Sequence, residues 1–100
     1  MALLYISVVP VGTLTPSIGD YIAEVVKTCS KSKVKYRLTD MGTIIEGRTA
    51  DLFKIAQKLH ETPFKKDIKR VITSITIDDR RDKKVKLDDK VSSVMARLSK

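Results

Sequence analysis

Val34-Lys35-Tyr36-Arg37-Leu38-Thr39-Asp40-Met41-Gly42-Thr43-Ile44-Ile45-Glu46-Gly47-Arg48 reads as two short strands around a tight turn, and this hairpin decides the fold. Val34, Tyr36 and Leu38 point one way while Lys35, Arg37 and Thr39 point the other, the period of a half-buried strand. Asp40-Met41-Gly42 supplies the turn, and residues 43–48 form the returning strand. In that strand Glu46 shares a face with Ile44 and Arg48, whereas Thr43 and Ile45 face the opposite way.

Working outward, each side of the hairpin carries a helix and then a strand. Upstream, residues 3–9 are almost wholly apolar and read as a central strand covered on both faces. Residues 10–16 connect it to a helix that Thr15 or Ser17 can cap, with Ile18, Tyr21, Ile22, Val25, Val26 and Cys29 recurring at three- and four-residue steps. Downstream, a helix over residues 50–61 buries Leu52, Ile55, Ala56 and Leu59, and Thr62-Pro63 is expected to stop it. Residues 70–78 form a fourth strand, with Val71, Thr73, Ile75 and Ile77 on one side and Ile72, Ser74 and Thr76 on the other. A last helix follows, capped by Asp88, with Leu87, Val91, Val94, Met95 and Leu98 as its stripe. The order β-α-β-β-α-β plus a helix predicts an α+β fold, the ferredoxin-like plait: a four-stranded antiparallel sheet with two helices on one face, spanning residues 1–100 as a single domain. The first and third strands should be central. Leu3, Tyr5, Ser7 and Val9 then lie on the bare face, which predicts cover by a second copy, as a homodimer or a dimer-of-dimers tetramer.

Bulk properties narrow the function. One hundred residues with 42% hydrophobic content allow one modest core, and no apolar run is long enough for a membrane span. The N-terminal strand lacks a basic flank and reads as buried structure rather than a signal peptide, which gives a cytoplasmic expectation. A net charge of +8 favours anionic partners. Charged residues at 32% together with the absence of asparagine also fit a protein from a hot environment. Cys29 falls on an apolar stripe, and His60 near a helix C-terminus suits the dipole.

Catalysis is not expected. No nucleophile has a credible base, the four glycines are isolated rather than gathered into a phosphate loop, and a metal site from Asp78, Asp79 and Asp82 would be opposed by Arg80 and Arg81. RNA binding through base stacking lacks its aromatics: the third strand has none and the first only Tyr5. Nucleic acid is therefore an unlikely partner, though non-specific electrostatic binding stays open. Glu46 has two readings: an ion pair with Arg48 or a lysine across a subunit contact, or a carboxylate lining an interface pocket. Arg80 and Arg81 also have two: ion pairs with Asp78, Asp79 and Asp82, or a fork for a carboxylate or phosphate.

Pro10-Val11-Gly12-Thr13, Met41-Gly42-Thr43-Ile44-Ile45-Glu46-Gly47 and Thr73-Ser74-Ile75-Thr76-Ile77-Asp78-Asp79-Arg80-Arg81-Asp82, with Lys90-Val91 near the tail, resemble the thiamine-binding (YkoF-like) superfamily of small microbial proteins. The resemblance runs over residues 4–94. It implies a ferredoxin-like fold assembled into dimers and tetramers, no demonstrated catalysis for many members and no cofactor, with some relatives binding thiamine or its hydroxymethylpyrimidine part in a cleft near subunit contacts. Thr43 and Glu46 match the polar positions of the family's hairpin strand, where a carboxylate could recognise the aminopyrimidine. With Ser7, Met41 and Gly42 beside them they form the candidate ligand-binding set. The Asp78–Asp82 motif marks a branch whose arginines suit an anion, so Arg80, Arg81 and Asp78 are candidate anion or subunit contacts. An anionic metabolite is the second ligand class, and a structural or regulatory interaction module without an organic ligand is the alternative function.

Overall fold

The computed structural model describes residues 1–99. Strand β1 (Ala2–Val11) leads to helix α1 (Gly19–Lys31), then β2 (Lys35–Leu38) and β3 (Thr43–Gly47). Helix α2 (Thr49–Glu61) runs into a 3-10 turn (Thr62–Lys66), followed by β4 (Arg70–Asp78) and helix α3 (Asp89–Leu98). The four strands form one sheet in the order β2-β3-β1-β4, every neighbouring pair antiparallel. This is the ferredoxin-like plait with a C-terminal helix that the hairpin pattern predicts, and β1 and β3 are its central strands.

The core lies between the sheet and the two long helices. Leu4, Ile6 and Val8 from β1 and Ile45 from β3 meet Val25 and Cys29 of α1 and Leu52, Ile55, Ala56 and Leu59 of α2. Each large aliphatic buried here contributes about 1.5–3 kcal/mol relative to exposure, which makes this one layer the main source of stability. His60, at the end of α2, bonds through Nδ1 to the Thr73 hydroxyl at 2.7 Å and so ties α2 to β4.

Two expected helix caps are absent, while the expected end of α2 is present. No hydroxyl caps α1: its N-cap is Ile18, and the Thr15 hydroxyl instead accepts from the Ser17 N–H within the loop. Helix α2 ends at Glu61, as Thr62-Pro63 predicts, and the proline fits the first turn of the 3-10 segment that follows because it forfeits no hydrogen bond there. That segment ends at Asp67, in the left-handed region at φ 67°. Asp88 stands at the start of α3, but at φ 76° its side chain makes no cap and pairs with Arg37 instead.

The opposite face of the sheet carries Leu3, Tyr5, Ser7 and Val9 beside Ile44 and Glu46 of β3 and Ile72 of β4. The chain after β4 returns to one end of this face. There the Leu87 N–H donates to Glu46, Asp88 pairs with Arg37 of β2, and Lys90 pairs with Asp78 of β4. Val85 and Leu87 are buried, whereas α3 itself buries no residue. The molecule is accordingly long, 48 × 30 × 21 Å, with a radius of gyration of 15.0 Å. A compact chain of this length would reach about 13 Å.

Burial pushes the Cys29 thiol up to about 11 from its ordinary 9.0. An acid whose folded pKa is raised favours folding only while the unfolded chain also keeps its proton. Stability from this group is therefore complete below pH 9 and falls as pH rises from 9 towards 11. Chemical denaturation across that window is expected to show the fall, and Cys29→Ala is expected to flatten it.

Candidate functional site

Strand β1 has ten residues and β3 has five, so their ladder ends at the pair Ile6–Thr43. From Ser7 to Val11, β1 pairs with β4 alone. Its other edge opens into a cleft of about 840 Å³, bounded by α1 and by the turn between β2 and β3. That size falls within the range of ordinary small-molecule sites.

The cleft walls are mostly apolar. Ile18, Ile22 and Val26 form the α1 side, with Val8 and Val9 on the strand. Ser7, Asp40 and Thr43 add polar groups, and Thr43 is otherwise enclosed at 2% exposure. Met41 and Gly42 complete the lip. The lip is held in place by short-range chemistry. The Thr39 side chain donates to the Gly42 carbonyl at 2.8 Å and accepts from the Met41 and Gly42 amides. The Tyr5 hydroxyl donates to the Met41 carbonyl at 2.7 Å. Residue 42 must be glycine because a Cβ there would stand 2.6 Å from Tyr5 Cε2 and 2.7 Å from the Ile6 carbonyl oxygen.

Four of the five sequence candidates for ligand contact, Ser7, Met41, Gly42 and Thr43, thus border one cleft. Glu46 does not border it. It sits on the other face, opposite Leu3 and Lys35, and accepts the Leu87 N–H at 3.2 Å. Arg48, its expected ion-pair partner, bonds to Asp51 at 2.9 Å. The sequence pattern missed Asp40, Ile18, Ile22 and Val26 as cleft residues and Tyr5 as the clasp on the turn. Only the unequal lengths of the first and third strands could have signalled them.

Arg80, Arg81 and Asp78 lie at the far end of β1 from the cleft. Arg80 holds Asp82 through Nε and Nη2 at 2.6 and 2.8 Å, and Arg81 holds Asp79 at 3.1 and 2.8 Å. The Arg81 hydrogen bond brings the Asp79 carboxyl below its ordinary range, and Arg80 does the same to Asp82. Asp78 pairs with Lys90 at 2.7 Å instead of with either arginine. Among the described residues no group of His, Cys, Asp and Glu is arranged to hold a metal ion, and no helix is long and apolar enough to cross a membrane.

A ferredoxin-like plait with a mostly apolar cleft beside its central strand defines the class. The family model described as thiamine-binding protein matches residues 4–95, and the chain belongs to that family. It is 47% identical over 102 residues to the UPF0045 protein YqgV of Bacillus subtilis, covering 98% of each chain. Among solved structures, hypothetical protein MJ1052 of Methanocaldococcus jannaschii superposes with a TM-score of 0.85 at 26% identity, over 94% of this chain and 95% of that one. A proposed thiamine biosynthesis/salvage protein of Thermotoga maritima shares the fold at a TM-score of 0.77 and 20% identity, over 93% and 97% of the two chains. The family's description and the YqgV name indicate no catalytic activity.

The Glu46 contact makes a separable prediction. Glu46→Ala is expected to lower stability by about 1–2 kcal/mol, because the half-buried Leu87 amide loses its acceptor. Hydrogen exchange at residues 85–89 is expected to quicken, and Glu46→Gln, which keeps an acceptor oxygen, to restore most of the protection.

Proposed function

We propose that this protein is a non-catalytic binder that takes a thiamine-type pyrimidine in the cleft between α1, β1 and the β2–β3 turn. The observation that carries this reading is the unpaired edge of β1 at the base of an apolar cleft. A strand edge offers backbone donors and acceptors that need partners. A flat aminopyrimidine, with ring nitrogens that accept and an amine that donates, matches such an edge while its faces rest on Ile22 and Val26. The Thr43 hydroxyl extends the same set, and the Asp40 carboxylate at the lip suits a cationic ring or protonated amine. The family's description as thiamine-binding supports this ligand class. An anionic metabolite fits this cleft poorly, since Lys27 is the one cationic side chain on its walls. Catalysis has no support in the site: Cys29 is buried and held as the thiol, and His60 is committed to Thr73.

The test is a thermal shift with thiamine and with hydroxymethylpyrimidine. A ligand at roughly tenfold its Kd adds about 1.4 kcal/mol, a rise of about 5–10 °C for a domain of this size. Val26→Phe, which fills the cleft, is expected to abolish the rise, and Glu46→Gln, outside it, to leave the rise intact. No shift with either compound at millimolar concentration would sink the assignment.

The same reading includes self-association, and α3 favours it. Val91, Val94, Met95 and Leu98 are between 51% and 73% exposed on a helix that buries nothing within its own chain. A second copy covering this stripe and the open sheet face of Leu3, Tyr5 and Ile44 would give a homodimer, or a dimer-of-dimers tetramer if both surfaces pair separately. Sedimentation is expected to show an oligomer for the native chain and a monomer for Val94→Glu combined with Leu98→Glu. A structural module with no organic ligand would keep the oligomer and lose the thermal shift, which separates the two functions.

A further inference from the structure

A second hollow, of about 450 Å³, lies where β4 runs out and α2 begins. Arg48 and Thr49 form one wall, and Asp79, Arg80, Arg81, Lys83 and Lys84 of the loop after β4 form the other. The five cationic side chains outnumber the one carboxylate on these walls. Adding Asp51 and Asp82, which hold Arg48 and Arg80 from outside, still leaves an excess of two positive charges. That excess belongs to Lys83 and Lys84, neither of which is in an ion pair among the described residues.

Two further features favour an anion at this place. The three arginines are already fixed in direction by Asp51, Asp82 and Asp79, so a ligand meets oriented guanidinium groups and not mobile chains. Helix α2 starts at the hollow with no side chain capping it, and its first intrahelical bond is from the Leu52 amide to the Arg48 carbonyl. The amides of its first turn and the positive end of its dipole therefore add to the side-chain charge. Asp79 opposes an anion, and its pairing with Arg81 offsets much of that opposition.

We propose that this hollow is a phosphoryl-binding site distinct from the cleft. Lys83 and Lys84 act as the free point charges, and Arg80 and Arg81 set the direction of approach. The hollow is lined by Ala2 and the cleft by Ile6, four residues further along β1. At about 3.3 Å per residue their nearest strand positions are roughly 13 Å apart, at opposite ends of the β1–β3 ladder. The site is thus additional to pyrimidine binding.

Inorganic pyrophosphate is the probe, followed by calorimetric titration of the full chain at low salt. The native protein is expected to bind it, and Lys83→Ala combined with Lys84→Ala to weaken binding roughly fivefold or more. Lys31→Ala with Lys58→Ala removes the same charge from the helix face and is expected to change it by less than about twofold. Equal weakening in both double variants would reduce the effect to overall charge and overturn the site, as would no binding by the native chain at millimolar pyrophosphate. The thiamine shift is expected to survive in the Lys83/Lys84 variant, so failure here and failure of the cleft reading give different results.

Discussion

Strand β1 is twice as long as β3, its neighbour on one edge, and the rest of the molecule is arranged around that mismatch. Over residues 2–6 it is paired on both edges and supplies the centre of the sheet. Beyond Ile6 the β3 edge has no strand, so backbone groups that a sheet would satisfy are left to other partners. Helix α1 overhangs this gap, and the β2–β3 turn closes its side. The turn stays there because Tyr5, on the same strand, bonds to the Met41 carbonyl, with Gly42 letting its ring pass close. One strand thus forms the floor of the cleft and holds its lip.

The charges divide in a way that composition conceals. Ion pairs gather on the arginines, Arg37, Arg48, Arg80 and Arg81 each holding one aspartate. The two between near neighbours after β4 are exposed, and exposed pairs contribute little to stability. What they do physically is fix the guanidinium planes. Apart from Lys90, the lysines are in no ion pair among the described residues. A net charge of +8 is in this sense a property of free ammonium groups spread over the helix layer and the loop after β4. It is not an even coat of networked pairs, the form that heat tolerance usually takes.

How much could be read from the sequence depended on the range of each interaction. Alternation in residues 34–48 was enough to place Thr43 and Ile45 on one face and Glu46 on the other, and that division is what the sheet shows. Helical stripes gave Val25, Cys29, Leu52 and Leu59 as core for the same reason, since periodicity is local. The cleft depends on how far two strands pair, which no periodicity encodes. The partner of Glu46 is a backbone amide 41 residues away, and an amide carries no residue-type signal. Thr15 and Asp88 failed as caps because each oxygen had a competing partner, one in its own loop and one on β2.

The position of Glu46 links the two faces of the sheet. Its strand neighbours Thr43 and Ile45 face the helices, Thr43 at the cleft and Ile45 in the core, while Glu46 secures the tail from the other side. The tail in turn sets where α3 leaves the domain, through Asp88 on Arg37 and Lys90 on Asp78. A partner seated on α3 would therefore pull on β2, β3 and β4 at once. A small molecule in the cleft would press on the β2–β3 turn at the opposite end of β3. Glu46 lies three residues from Thr43 along β3, and a backbone paired on both edges is stiff. The alternation of this short strand sends Thr43, at the cleft, and Glu46, at the tail contact, to opposite faces, so the proposed ligand and the proposed partner would not compete for the same side.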